Sequence, residues 1–404
     1  MPDSPMTVAL DAEEFKQDRY GFIEHLRAQS FYARTPDGGT IFYNQEDVAE
    51  IFKCRDFRFY FEGIDETKSP YLKKAIDHEL LNMHGVSHDR LSRLVKIALR
   101  DRIVDGMRQS IEAISRDLTA AFPNTGEVEF CADFADPLPS RVLGPMFDVP
   151  YVETEGLNDW IKVGGRKLDA LQTGVGIEKV EEANRRIHTY LRDLLSERRE
   201  NPGEDLFSEL IQAEIDGDRM SEDEIVYLSA ELASAGVDTT RTQLPLILLA
   251  LLQHPDELEK LRAEPGLALR AVDEGMRFAP LPWAIPHQAT GELEYKGLKF
   301  RKGDVAYALV PGANRDPSAV KDPQNFNITR EGRSRNFSFG AGMHACPGAQ
   351  LARMEMSVAL HDLVSEFSTI RLLERPDWEP GHEGRGLRTL KLHVERGAEH
   401  RRPQ

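Results

Sequence analysis

Apolar residues return every three to four positions along most of this chain. Ser87 to Arg102, Asp105 to Ala121, Glu178 to Arg199 and Asp256 to Ala263 each carry that helical spacing. Alternating, strand-like pieces are short and gather late, at Leu293 to Phe300, Val305 to Val310 and Leu390 to Val394, with an early one at Thr40 to Tyr43. The pattern predicts a mostly α fold of the α+β class, a helical body with small β-sheets at its edges. No internal repeat or low-complexity linker interrupts it, and the length suits one large domain or two; residues 1–404 are taken as a single domain.

The longest element predicted is a central helix from Ser221 to Gln253. Ser221 and Glu224 have the spacing of a capping box, and His254-Pro255 marks its end. Such a helix is about 50 Å long, enough to cross a domain. Its apolar residues cover all sides, which predicts burial through the core. Gly236 and Pro245 are expected to break or kink it. It also contains Ala235-Gly-Val-Asp-Thr-Thr240, although acids and hydroxyls are poor choices in a buried helix. Asp238 and Thr239 beside a glycine therefore suggest a local bend with proton-relay work; an exposed helical turn is the plainer alternative.

Composition narrows the class. A 404-residue chain that is 40% hydrophobic can bury a large core. A formal charge of −17 disfavours nucleic acid as a partner. Three scattered cysteines, Cys54, Cys131 and Cys346, argue against a disulfide framework and for a reducing, cytoplasmic setting. The first residues carry no basic or long apolar run, and Leu244 to Leu252 is too short to span a bilayer, so neither a signal peptide nor a membrane anchor is expected.

The candidate chemistry is concentrated in Phe339-Gly-Ala-Gly-Met-His-Ala-Cys-Pro-Gly348, followed by a helical segment from Ala349. Glycines allow tight turns and close approach to a flat ligand. A cysteine just before a helix meets unpaired N–H groups, which favour its thiolate. That is the requirement of a heme iron with a sulfur ligand. A zinc site needs more ligands than the one cysteine here, and a buried inert cysteine explains none of the loop. A nucleophilic cysteine with His344 nearby leaves Phe339 and the two glycines unexplained.

Further motifs follow in fixed order. Glu274 and Arg277 share a helix face, a weak signal alone because such pairs are usually solvated. Then come Ala313-Asn-Arg-Asp-Pro317 and Phe326 to Arg330. With Ala235 to Thr240 before them and the cysteine loop after, the chain resembles a soluble bacterial-type cytochrome P450 from about residue 80 to its end. The resemblance implies the helical P450 fold with a long central helix, and a heme-thiolate monooxygenase that uses heme b. One oxygen atom would enter a small organic substrate, with electrons from an external ferredoxin and ferredoxin reductase. A C–C coupling or peroxide-driven enzyme of the same family, or a heme sensor, is the alternative.

The resemblance also implies roles. Cys346 would ligate the iron, with Phe339 and Gly340 packing beside it. His88, His287 and His344 would bind the heme propionates. Asp238 and Thr239 would form the acid–alcohol pair, and Glu274, Arg277 and Arg330 a buried ion triad. Three positions depart from the family's pattern: Ser92, His287 and Asn336 stand where arginine, arginine and histidine are usual. Arg93, Lys96 and Arg100 on one helix face, with Arg333, Arg335 and Arg353 around the loop, would meet an acidic ferredoxin. Glu231, Ser234 and Ala235 on the central helix, with Trp283 and Ile285, are expected to line the substrate pocket. Residues 60–85, 160–180 and 384–389 are expected there too. Glu231 with Trp283 suggests an aromatic or amine-bearing substrate; a salt bridge and a core indole are the plainer readings.

Overall fold

The computed structural model describes residues 5–10, 15, 18–59, 69–99, 101–149, 151–165, 176–215, 217–332, 336–378 and 386–401. In chain order its helices are α1 (Arg19–Gln29), α2 (Gln45–Lys53), α3 (Pro70–His78), α4 (Gly85–Ala98), α5 (Asp101–Ala121), α6 (Pro137–Phe147), α7 (Tyr151–Gly164) and α8 (Ile177–Glu200). They continue with α9 (Leu206–Gln212), α10 (Glu222–Gln253), α11 (Pro255–Ala263), α12 (Ala268–Phe278), α13 (Val310–Asn314) and α14 (Ala349–Glu366). Two compact units are formed. One holds Met1–Phe61, Leu246–Cys346 and Asp377–Arg388; the other holds Glu62–Pro245, Pro347–Pro376 and Thr389–Gln404.

The first unit is built on a five-stranded sheet. Its strands are β1 (Tyr32–Arg34), β2 (Thr40–Phe42), β3 (Phe57–Phe59), β5 (Ala284–Ala289) and β6 (Val305–Leu309), in spatial order β1-β2-β6-β5-β3. β2 and β6 run parallel, with Ile41 opposite Tyr307; the other pairs are antiparallel. Three of these strands have only three residues, too few for alternation to show, and only β2 and β6 were expected. Phe42, Val48, Ile51, Phe52, Phe57, Phe300 and Phe337 form one of the unit's cores. The expected strand at 293–300 is a hairpin, Leu293–Tyr295 with Leu298–Phe300. Lys296 and Gly297 turn it, both with positive φ, as a two-residue turn of this type requires.

The second unit is the helical one. Its main core joins α4 to α10 and α14 through residues such as Leu91, Leu94, Ile111, Phe147, Leu191, Phe207, Val226 and Met354. A three-stranded antiparallel sheet, β7 (Phe367–Leu372), β8 (Lys391–Arg396) and β4 (Thr125–Glu129), belongs to it, with β8 in the middle. The single helical run expected over 87–102 ends at Ala98, and α5 starts at Asp101. The boundary between the units falls inside α10, at Pro245.

α10 is the expected central helix. Its capping box is present: Glu224 N–H donates to Ser221 Oγ at 3.3 Å, and Ser221 N–H to Glu224 Oε2 at 2.7 Å. Helical structure continues through Gly236 and Pro245. A glycine costs a helix only about 1 kcal/mol, and Leu244 and Leu246 to Leu251 are all buried around the proline. Tertiary packing outweighs both local penalties.

Candidate active site

In the first unit the cysteine loop is held by its own backbone. Gly340 N–H donates to Phe337 O at 2.8 Å, and Cys346 N–H to Phe339 O at 2.9 Å. Gly340 and Gly342 have φ of +63° and +71°, where a side chain strains the backbone. At Gly342 a Cβ would also stand 2.1 Å from Phe52 O. The Phe52 ring stacks on Phe337 at 5.7 Å and meets His287 edge-on at 5.4 Å. So α2 forms a floor for the loop, a part that sequence reasoning missed. Cys346 lies exposed at its end. An exposed sulfur on a tightly turned glycine loop fits a thiolate-ligated heme. Among the described residues no group of three or more His, Cys, Asp or Glu stands ready to hold a metal ion.

The loop is anchored by the motifs before it. Asn314, fully buried, accepts from Phe337 N–H at 2.8 Å and donates to Ser338 Oγ at 3.1 Å. Ser338 Oγ in turn donates to Met276 O at 2.7 Å. Glu274, Arg277 and Arg330 come together. Arg277 donates to both carboxylate oxygens of Glu274, at 2.8 and 2.7 Å, and Arg330 adds contacts of 3.2 to 3.3 Å. Asn327 N–H adds another at 2.9 Å. Neighbouring Arg315 sits between the Tyr20 and Phe278 rings, 3.4 and 3.7 Å from their centroids. Burial lowers its pKa to about 10, opposed by Tyr20. Nothing local in the sequence marks that slot.

In the second unit, the polar segment of α10 is open where the helix around it is packed. Ala235, Gly236 and Thr239 are exposed, whereas Ala233, Val237 and Thr240 are buried. A Cβ added to Gly236 would meet nothing within 4 Å. The Thr239 hydroxyl donates to Ala235 O at 2.5 Å, which leaves its oxygen lone pairs outward. Asp238 is half-buried and paired with Arg241, whose Nη2 and Nε both donate to Oδ1, at 2.6 and 3.0 Å. Arg241 was not anticipated.

The three histidines divide between the units. His88 is buried on α4 with Nδ1 3.4 Å from Asp89 Oδ1. His287 is buried on β5 with Nδ1 3.1 Å from Ile285 O. His344 is half-buried in the short turn Gly342–His344. Asn336 Oδ1 accepts from Ser338 N–H at 2.8 Å, so it caps the start of the loop. Arg93 and Lys96 are exposed on α4 and Arg353 is half-buried on α14; Arg100, Arg333 and Arg335 lie outside the described residues.

The expected substrate contacts need correction. Trp283 is buried in the core with Phe15, Ile23, Tyr43 and Leu309. Its indole meets Phe15 and Tyr20, and Arg19 lies 4.5 Å from the ring centroid. A large ring at the start of β5 is drawn to the nearest apolar cluster, and that cluster comes from the N-terminal segment. Glu231 uses Oε2 to accept Leu80 N–H at 2.8 Å, because the chain after α3 needs an acceptor for its backbone. The aromatic-amine expectation therefore loses both supports. Ile285 is half-buried against the β-sheet core, and Ser234 is half-buried beside exposed Ala235 on α10. Of the expected pocket segments, 60–68, 166–175 and 384–385 lie outside the described residues.

Residues 176–388 match the family model described as Cytochrome P450. The chain belongs to the cytochrome P450 family. This P450 is 32% identical to Cytochrome P450 107B1 of Saccharopolyspora erythraea, over 96% of its own length and 98% of the relative's. It is 30% identical to the Epothilone C/D epoxidase of Sorangium cellulosum, over 90% of each. Among solved structures it is similar to P450BioI in complex with hexadec-9Z-enoic acid ligated acyl carrier protein, with a TM-score of 0.87 and 28% identity over 95% and 100% of the two chains. P450s bind heme b through a cysteine thiolate. This P450 is a heme-thiolate monooxygenase, an oxidoreductase that acts on small organic molecules. Among its described residues no helix is long and apolar enough to cross a membrane.

Proposed function

We propose that Cys346 is the thiolate ligand and that Asp238 and Thr239 deliver protons during oxygen insertion. The observation that carries this reading is the exposed cysteine at the end of a loop whose left-handed turns favour glycine. The heme, when bound, supplies the iron that activates dioxygen. The loop keeps Cys346 in one position through the Phe339 carbonyl and the Phe52 floor. His88, His287 and His344 would hold the propionates when heme is bound. Asp238 would relay protons through its carboxylate, and Thr239 would accept a hydrogen bond at the lone pairs that its own donation to Ala235 leaves free.

The electron donor is a ferredoxin with its reductase, drawn to exposed Arg93 and Lys96 on an otherwise acidic chain. The substrate is a neutral organic molecule, of the kind taken by the similar Epothilone C/D epoxidase. Small side chains at Ser234, Ala235 and Gly236, and the engagement of Glu231 elsewhere, support that choice. The absorption spectrum of the dithionite-reduced, CO-bound protein tests the ligand. The red-shifted Soret band of a thiolate–heme–CO complex is expected in the native protein and lost in Cys346→Ala; its survival in the variant overturns the assignment. Difference spectra with epothilones and with aromatic amines test the substrate. A spin shift with amines alone overturns the neutral class.

A further inference from the structure

Arg241 is the one charged group that touches Asp238 among the described residues, and it does so within a single turn of α10. Its two nitrogens converge on Oδ1 of that carboxylate and leave Oδ2 outside the clamp. Its third nitrogen, Nη1, lies 3.5 Å from Oδ1 of Asp136, at the start of α6 and 105 residues away in sequence. Arg241 is the most buried of the three side chains, 16% exposed against 33% for Asp136 and 43% for Asp238. The end of α7 closes the site from another side, because a Cβ at Gly165 would stand 3.9 Å from Asp238 Cβ. One guanidinium is thus shared between two carboxylates of different helices.

We propose that Arg241 is a positioning residue for proton delivery by Asp238, and that Asp136 sets how tightly the clamp closes. This rests on the reading of Asp238 as a proton carrier. A carboxylate fixed through one oxygen keeps a single orientation, so its other oxygen is presented reproducibly to the proton path. A clamp on both oxygens would hold the acid too firmly to exchange partners. Asp136 competes for the same guanidinium through the third nitrogen and so weakens its hold on Asp238. The long arm to Asp136 is the weaker contact, so Asp238 retains the greater share of Arg241.

The test uses heme-loaded protein with carboxyl-labelled aspartate, turned over with a surrogate ferredoxin system on any substrate that gives a spin shift. Three readouts are taken: product formed per NADPH consumed, the solvent isotope effect, and the infrared carboxylate band that Asp238→Asn removes. Arg241→Gln is expected to lower coupling about tenfold, below the 10²- to 10⁴-fold worth of the proton transfer itself, and to move the Asp238 band. Arg241→Lys, a point charge without the fork, falls between and carries the test if the glutamine variant fails to fold. Asp136→Asn shifts the band opposite to Arg241→Gln and raises the isotope effect. Native coupling with an unmoved band in Arg241→Gln or Arg241→Lys overturns the proposal. Native coupling and isotope effect in Asp238→Asn overturns the proton-carrier reading instead.

Discussion

Glu274→Gln isolates the buried triad. The substitution keeps the shape and one acceptor oxygen, and sets an NH₂ group against the Arg277 fork. Arg277 is fully buried and Glu274 nearly so. Three carbonyls remain to Arg277, from Pro323, Asn325 and Asn314 at 2.9, 3.1 and 3.3 Å. They accept hydrogen bonds but carry no counter-charge. Removing one partner of a buried pair costs about 3–5 kcal/mol, and the retained oxygen puts this case near 3. With an unfolding entropy of roughly 2.1 cal/mol/K per residue, 404 residues give about 0.85 kcal/mol/K. The melting temperature should fall by about 4 °C. Arg330→Ala is the control, since its contacts to Glu274 are longer and it is less buried; about 1 kcal/mol is expected. The assay is thermal unfolding of heme-loaded protein, with heme content and turnover per bound heme measured beside it. Stability and heme content should fall together, and turnover per heme should stay within about twofold. The reasoning fails if Glu274→Gln melts like the native protein, or if Arg330→Ala costs as much.

Gly342→Ala should lose heme content and about 1–3 kcal/mol of stability, since its Cβ would lie 2.1 Å from the Phe52 carbonyl at a φ of +71°; the Soret absorbance per chain is the measurement. Glu231→Gln should leave amine affinity unchanged, and Glu231→Ala should speed amide exchange at Leu80, whose N–H loses its acceptor; amine affinity lost in the glutamine variant would restore Glu231 as the counter-charge of an amine substrate. Glu355 is buried on α14 with one carboxylate oxygen unpartnered, and burial raises its pKa to about 8. The folded state then binds more protons than the unfolded one between about pH 4.5 and 8, so its ionisation works against folding as pH rises. Glu355→Gln should therefore gain stability over the native protein, by a margin that grows across that window and levels off above it. Parallel denaturation curves at pH 5 and pH 8 would refute the assignment.

The motifs were legible because each depends on short-range backbone chemistry. Glycines at 340 and 342 mark left-handed turns wherever they stand, and Ser221 with Glu224 forms a capping box by spacing alone. Glu274 and Arg277 share a helix face for the same reason. Their deep burial was legible only from the family's order of motifs, since a lone pair at that spacing is usually solvated. The short strands left too little alternation to read. Trp283 and Glu231 were assigned to the substrate pocket from the family resemblance, which does not show what each side chain packs against. Their partners come from residues 15–20 and from Leu80, far away in sequence.

The sequence by itself determined the family, the heme-thiolate chemistry and the identity of the cysteine loop, because those follow from residue type at fixed local spacing. Tertiary structure alone decided which polar groups are already committed. Asp136 reaches Arg241 across 105 residues, the Phe52 carbonyl makes Gly342 obligatory, and Arg315 finds its slot between Tyr20 and Phe278. Such pairings depend on how helices and strands pack. Most buried donors and acceptors take the nearest partner that packing offers, and no local pattern names it.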